Sequence, residues 1–371
     1  MRKLLSVLLT LFFLTAPLPF ASAENVIVRI TSTLHQNFTG EFRNDDLAQE
    51  LTPSGRLGQL VFAPLNISKI WVIDPALIDE VVAMSGDYKL ATGAAPAGKD
   101  IAISWLAQLK KNTAANDVVA LAYGNPDVAM AKRLAPNELK LYYTYGKTAL
   151  EIALGRVVRS EATGGWSKGS SKLSPLLRKS FGENRKSLTR LSKVVNVPDV
   201  VQLRMRLGRL LSPSLDAESR AYFSFNAKTA VDAQLHRLRI NPGKYQLTTK
   251  KAVLPVTVIN EFPIEVTVDI EMLAKNTRIV VDSFTGVKLA PSSKSQLELN
   301  AFVIAPGETI VSAQMVDSQG SNVAPAAALA LNATVIDPRL TWFTTGAAIL
   351  LLLAATAQSV RRVRKGRQSE I

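Results

Sequence analysis

The chain has 371 residues, a formal net charge of +14 and no cysteine, and hydrophobic residues make up 47% of it. The absence of cysteine excludes a disulfide framework, a thiolate metal site and a cysteine nucleophile. The two histidines, His35 and His236, lie far apart in the sequence, which disfavours a histidine-rich metal site and most histidine-based catalysis. We therefore expect no metal and no cofactor, in a chain long enough for two or three domains.

Residues 1–23 have the features of a secretory signal peptide. Arg2 and Lys3 precede an apolar run, which ends at the small residues Ala21 and Ala23. Signal peptidase accepts small residues at these positions, so we expect cleavage after Ala23. An uncleaved N-terminal anchor is the alternative. Since exported proteins without cysteine are common in bacteria, we expect a protein of the bacterial cell envelope.

Residues 24–154 are predicted to form an α/β domain. Two short apolar runs, 70–73 and 118–123, are typical of buried strands. Three helical patterns begin beside residues that favour a helix start: Asp74, Asp100 and Asn125 with Pro126. This order predicts parallel strands joined by crossover helices, with too few strands for a closed eight-stranded barrel. We expect a partial, barrel-like α/β fold.

Residues 155–243 are predicted to be helical and basic. The stretch 156–252 contains 20 Lys and Arg against 6 Asp and Glu, an excess of 20 − 6 = 14 positive charges. Solvated amphipathic helices are one interpretation of this charge. The other is a cationic surface that contacts anionic lipid headgroups or an anionic wall polymer. Nucleic acid is not expected as a partner, because the region is predicted to be exported.

The last third of the chain is predicted to contain a β-sandwich and a membrane anchor. Residues 244–337 show short strands of period-two alternation separated by turn residues, which suggests an immunoglobulin-like fold. Residues 340–360 carry no charge and span about 31 Å as a helix, enough to cross a bilayer. The basic tail, 361–371, predicts a cytoplasmic C terminus and a single-pass plasma-membrane protein. A buried core helix is the alternative.

The fold class expected from these segments is α+β and multidomain. It combines a partial α/β domain, a helical region, an immunoglobulin-like β-sandwich and one C-terminal transmembrane helix.

Two short motifs resemble catalytic signatures. Residues 165–169 match G-x-S-x-G around Ser167, but a nucleophile elbow needs a strand before it and a helix after it, whereas these residues lie in a Gly/Ser-rich stretch. Residues 93–100 nearly match a P-loop, but Asp100 replaces the metal-binding Ser or Thr. We assign no chemistry to either motif.

Four residues at predicted strand ends are candidates for a site. Asp74 and Asp127 lie where α/β proteins build active sites, and a carboxylate pair suits glycoside chemistry. Both also lie beside a helix start, where Asp commonly caps the helix, and capping is the preferred interpretation. Trp71 and Tyr123 are candidate ligand-binding residues that could stack on a sugar ring, although core packing is the preferred role for both.

Ordered segments of the chain resemble an uncharacterised actinobacterial envelope family, domain of unknown function 6049. The segments that carry the resemblance are 71–79, 105–109, 119–127 and Leu254–Asn260, followed by the apolar run and the basic tail. The chain departs from the family pattern at Ala122, where the family has Pro, and at Asn125, where it has Asp. It is also shorter than most members. The resemblance implies the architecture and an envelope location, with a role beside membrane proteins of wall assembly, but no established activity.

These observations support two main functions. The preferred one is a membrane-anchored envelope protein that acts as a non-catalytic accessory or scaffold in wall assembly. The alternative is a carbohydrate-active enzyme, of the glycosidase or deacetylase kind, that uses Asp74 and Asp127. A ligand sensor is disfavoured because the tail, 361–371, is too short for a signalling domain.

Overall fold

The computed structural model describes residues 26–63, 67–161, 165–334 and 338–367, and the predicted signal peptide lies outside these ranges. Two compact units are present. The N-terminal unit extends to Ser171 and includes Leu211–Leu215; the C-terminal unit comprises Lys172–Leu210 and continues from Asp216.

A parallel four-stranded sheet forms the centre of the N-terminal unit. Its strands lie side by side in sequence order: β1 Val26–Ile30, β2 Lys69–Ile73, β3 Asp117–Ala120 and β4 Arg159–Ser160. Ile30 pairs with Ile73, Ile73 with Ala120 and Ala120 with Ser160, so the carboxyl ends of the four strands meet at one edge. The predicted parallel strands are confirmed, and β1 and β4 add to the two that the sequence indicated.

Six helices belong to the N-terminal unit in its described residues: α1 Asp46–Leu51, α2 Arg56–Phe62, α3 Pro75–Met84, α4 Lys99–Thr113, α5 Val128–Leu134 and α6 Pro136–Leu154. The crossover helices predicted near Asp74 and Asp100 are confirmed. The prediction that Asn125 caps the next helix was wrong. Asn125 has a φ of +42°, in the left-handed region, whereas Asp127 is the cap of α5. An N-cap residue normally has extended backbone angles, which the turn at Asn125 excludes.

The helices bury one face of the sheet in a single core. Trp71 of β2 and Trp105 of α4 are both fully buried there with Leu77 of α3. The Trp105 indole N–H is satisfied, since it donates to the Leu57 carbonyl at 3.1 Å. The Trp105 ring therefore adds its apolar area to the core without leaving a buried donor unpaired, whereas Trp71 Nε1 has no hydrogen-bond partner among the described residues.

The basic region of the C-terminal unit is helical, as predicted. It contains α7 Pro175–Val194, α8 Pro198–Arg206, a 3₁₀ turn Leu207–Leu211 and α9 Ala217–His236. Helix α7 begins at the cap Ser174, whose hydroxyl accepts from the Leu177 amide, with Pro175 at the first helical position. Its buried residues Phe181, Leu188 and Leu191 lie on one side of the helix.

The remaining strands of the C-terminal unit form two sheets. One has the order β10-β8-β12-β13-β6 and the other β5-β7-β11-β9. The strands are β5 Leu238–Ile240, β6 Gly243–Leu247, β7 Lys251–Asn260, β8 Val266–Ala274, β9 Ile279–Val281, β10 Phe284–Leu289, β11 Ser293–Val303, β12 Gly307–Val316 and β13 Ala327–Ala333. Neighbouring strands are antiparallel except β13 and β6, which are parallel. Alternating burial along β8 and β12 of the first sheet and along β11 of the second gives each sheet a buried face and an exposed face, as the predicted β-sandwich requires.

The predicted transmembrane helix, residues 340–360, requires correction. A C-terminal helix, α10, runs from Pro338 to Arg367, but within the described residues no helix is both long and apolar enough to cross a membrane. The predicted single-pass plasma-membrane localisation was therefore wrong.

Candidate functional site

The carboxyl-terminal edge of the parallel sheet brings together three buried carboxylates. Asp74 follows β2, Asp127 ends the loop after β3, and Glu161 follows β4. Their residues are 2%, 8% and 2% exposed, so each carboxylate is removed from bulk water. We call these three residues the strand-end carboxylates. This edge is where parallel α/β folds bind ligands, so the partners of these groups decide what the edge can do.

Asp74 caps α3 and also holds the loop after the next strand. Its Oδ1 atom accepts from the Ala76 amide at 3.0 Å and from the Gly124 amide at 3.0 Å. Pro75 occupies the first helical position, where its missing N–H costs nothing. One carboxylate oxygen therefore fixes both the start of a helix and the turn after β3.

Asp127 divides its two oxygens between two segments of the chain. Oδ1 accepts from the Met130 amide at 3.0 Å and caps α5, while Oδ2 accepts from the Ser171 amide at 2.8 Å. Ser171 is itself buried and donates its hydroxyl to the Leu211 carbonyl at 2.8 Å. Asp127 thus ties the loop after β3 to the end of the N-terminal unit, and the capping predicted for both aspartates is confirmed.

Glu161 organises the segment that contains the G-x-S-x-G motif. Its carboxylate accepts from the backbone amides of Trp166 and Ser167, and its Oε2 accepts from the Ser167 hydroxyl at 2.9 Å. Ser167 therefore donates its hydroxyl proton to a carboxylate that already holds two amides. No helix starts after Ser167 until Pro175, so the arrangement is a closed loop and lacks the elbow geometry of a nucleophile.

Tyr143 is the ionisable neighbour of this loop. Burial raises the pKa of Tyr143 to about 12, and the negative charge of Glu161 acts in the same direction. The phenol stays protonated at neutral pH, so it can donate a hydrogen bond but does not act as a base.

The two aromatic candidates lie in the core of the N-terminal unit. Trp71 is 0% and Tyr123 is 1% exposed, so neither ring offers a face to a sugar. The Tyr123 hydroxyl donates to Asp79 Oδ2 at 2.8 Å, and its ring packs edge-on against Tyr145 at 5.0 Å. Core packing is the role that these contacts support.

The P-loop-like segment has no cradle for phosphate. Gly98 precedes α4, and Lys99, the first residue of that helix, lies with its Nζ 2.8 Å from Asp87 Oδ1. Asp100 adds negative charge to the first turn, where a phosphate would have to approach.

One constellation at the end of β1 was not predicted. Ser32 Oγ lies 3.2 Å from His35 Nε2 and donates to Glu50 Oε2 at 2.9 Å, while Glu50 Oε1 lies 3.9 Å from the same ring nitrogen. In a catalytic triad the acid binds the ring nitrogen opposite the one that faces the serine. Here both partners face Nε2, so the group is a hydrogen-bonded cluster. Its spacing along the sequence matches no motif that would have revealed it.

A metal is not suggested at any of these positions. Among the described residues no group of three or more His, Asp or Glu side chains is placed to hold an ion. At the strand-end carboxylates, at least one oxygen of each is already occupied by backbone N–H donors.

Comparison with known proteins identifies a family but no activity. A family model described as "Family of unknown function (DUF6049)" matches residues 167–368. No curated protein matches the chain.

Three solved structures show short and weak similarity to the chain. WR4, a Caenorhabditis elegans MSP family member, is 13% identical over 26% of this chain and 98% of its own, with a TM-score of 0.21. The secreted serine protease VesC from Vibrio cholerae is 16% identical over 28% of this chain and 24% of its own, with a TM-score of 0.22. The CARDB domain of PF1109 from Pyrococcus furiosus is 18% identical over 26% of this chain and 91% of its own, with a TM-score of 0.21.

Proposed function

The chain belongs to the family of unknown function DUF6049, and on that premise we propose that it is a non-catalytic accessory or scaffold protein in bacterial cell-envelope assembly. The observation that carries the non-catalytic part is the occupation of the strand-end carboxylates by backbone amides. A general acid, base or nucleophile must be free to meet a substrate atom. Carboxylates that each hold two amides stabilise loops instead.

The envelope part of the proposal rests on the sequence. The basic start and apolar run within 1–23 support export, and an exported chain without cysteine is common in bacteria. The resemblance to an envelope family supports the same location.

Helix α7 supports an anionic wall polymer as a partner. Lys179, Lys186 and Arg190 recur at helical spacing on the side opposite the buried Phe181 and Leu188, and all three are exposed. Lys179 lies 3.9 Å from the exposed Glu183 on the same side of the helix, whereas among the described residues neither Lys186 nor Arg190 lies within ion-pair distance of an acid. A row of exposed cations suits a polymer with repeated negative charge, and such binding should weaken as salt rises.

One observation favours the enzyme alternative. Asn125 has a φ of +42°, and its buried Oδ1 has no hydrogen-bond partner in the described part of the chain. Strained backbone at the end of a parallel strand is a feature of many active sites. A carbohydrate-active enzyme that uses Asp74 and Asp127 is thus the second candidate.

Deletion and complementation test the proposal. A strain without the gene should change its susceptibility to inhibitors of wall synthesis, and both the wild-type protein and Asp74→Asn should restore it. An unaltered envelope in the deletion strain would contradict the envelope role. An Asp74→Asn protein that accumulates normally but fails to restore the strain would support the enzyme alternative instead, because an amide cannot act as an acid, base or nucleophile.

A further inference from the structure

The exposed face of the five-stranded sheet carries a groove that the proposed function does not use. Its volume is about 490 Å³. Volumes of roughly 300–1,000 Å³ are typical of ligand sites in proteins. The side chains that face it from three adjacent strands are Lys244, Gln246, Glu308, Ile310, Ala330 and Asn332.

The register of the strands explains the groove. Strand β13 lies between β6 and β12, and its Ala330 pairs with Lys244 on one side and Ile310 on the other. In the next row, Asn332 lies between Gln246 and Glu308. A short side chain between two long ones makes a trough, and its flanking strands are about 9.5 Å apart, twice the usual strand spacing. The trough therefore has the width of one extended chain.

The walls present both donors and acceptors. Lys244 contributes an ammonium group and Glu308 a carboxylate, and neither has an ion-pair partner among the residues that the structure describes. Gln246 donates through Nε2 to Thr334 Oγ1 at 3.1 Å, and its amide oxygen can accept a hydrogen bond. Asn332 adds a second amide at the floor. The formal charge of the lining is zero, because Lys244 and Glu308 offset each other.

This chemistry selects among possible occupants. A polyanion gains nothing from a lining without net charge. An extended peptide binds a sheet through unpaired backbone groups, but β13 at the floor is paired on both sides, with β12 and β6. Hydroxyl groups both donate and accept, so a chain of hydroxyls can use the ammonium, the carboxylate and both amides at once. The apolar Ile310 and Ala330 suit the C–H surface of a sugar ring.

We propose that this groove binds a neutral oligosaccharide chain, which lies along β13. The proposal is independent of the scaffold role, since it uses none of the strand-end carboxylates and only residues of the C-terminal unit.

Titration of the full-length protein with neutral hexasaccharides of glucose, mannose and N-acetylglucosamine tests the proposal, with binding measured by calorimetry. At least one should bind, and Lys244→Ala combined with Asn332→Ala should weaken it tenfold or more. Lys288→Ala is the matched control, because Lys288 is an exposed strand lysine at the opposite edge of the same sheet, and it should bind like the wild type. Ala330→Phe fills the floor at an exposed position and should abolish binding while the far-UV circular dichroism stays unchanged.

Several results would overturn the proposal. These are no binding of any of the three hexasaccharides, binding that Ala330→Phe leaves intact, or equal losses for Lys288→Ala and the paired Lys244 and Asn332 change. Binding of inorganic polyphosphate in place of the sugars would assign the groove to an anion.

Discussion

Replacing Asp127 by Asn should destabilise the N-terminal unit far more than the same change at Asp74. Asn and Asp cap helices about equally well, and both variants lose one negative charge at a helix N terminus. What differs is how the backbone amides are divided between the two carboxylate oxygens. At Asp74 one oxygen accepts both amides, whereas at Asp127 the two oxygens accept one amide each.

The magnitude follows from this difference. In Asp74→Asn the carbonyl oxygen of the new side chain can replace Oδ1 and keep both amide bonds, and the lost charge at the helix N terminus costs about 0.3–1 kcal/mol. In Asp127→Asn the new side chain keeps the Met130 bond but turns its NH₂ group toward the buried Ser171 amide. A buried donor left unsatisfied costs about 1–3 kcal/mol. Asp127→Asn should therefore be less stable than Asp74→Asn by about 1–3 kcal/mol.

Urea unfolding followed by tryptophan fluorescence measures this difference. Trp71, Trp105 and Trp166 all lie in the N-terminal unit, so the signal reports mainly on the unit that contains the changes. Glu161→Gln is a further control. The carbonyl oxygen of the new side chain can replace Oε1 and accept both amides, and the Ser167 hydroxyl can accept from the NH₂ group that replaces Oε2. Equal unfolding midpoints for Asp74→Asn and Asp127→Asn would refute the reasoning.

Two further predictions concern pH. Burial and a hydrogen bond to Asp45 raise the pKa of Tyr88 to about 12, so its stabilisation is present below about pH 10 and is lost as pH rises through about 12. Tyr88→Phe should therefore lose less stability over that pH range, but at pH 7 it should be less stable than the wild type by about 1–3 kcal/mol, because the Gly98 amide loses its acceptor. Urea titrations at each pH would measure both effects. The hydrogen bond from Lys193 lowers the pKa of Asp317, so stability is lost as pH falls through that lowered value. Lys193→Gln should therefore move the midpoint of acid unfolding to higher pH. An unchanged midpoint, measured by circular dichroism, would contradict this prediction.

The buried strands and the caps were the features most accessible from sequence. Strand β2 is apolar throughout its core positions, and Asp74-Pro75 is a strong helix-start signal, so both were predictable from local chemistry. Strand β1 has two exposed residues at its start, and β4 has only two residues, so neither shows a pattern that distinguishes it from a loop. Both strands pair with edges that β2 and β3 would otherwise leave unpaired.

The role of the carboxylates could be predicted only in part. Helix capping is local, and it was expected for Asp74 and Asp127. Their second partners, Gly124 and Ser171, lie 50 and 44 residues away, and no sequence pattern reports such contacts. Glu161 was not predicted for the same reason. The G-x-S-x-G motif identifies Ser167, but it does not indicate which carboxylate the Ser167 hydroxyl contacts in the folded loop.

The C-terminal helix is a case in which composition alone gave a wrong prediction. The apolar run within 340–360 and the basic residues after it matched a membrane anchor. Within the described residues, however, no helix is both long and apolar enough for that role.

The most direct test of the account is complementation by one double variant, Asp74→Asn with Glu161→Gln. This protein lacks acid–base chemistry at two of the three strand-end carboxylates but retains an acceptor oxygen for their backbone amides. The account predicts that it melts close to the wild-type temperature and restores the deletion strain fully. Normal melting and normal accumulation with no restoration would contradict the account, since only the lost chemistry would then explain the failure.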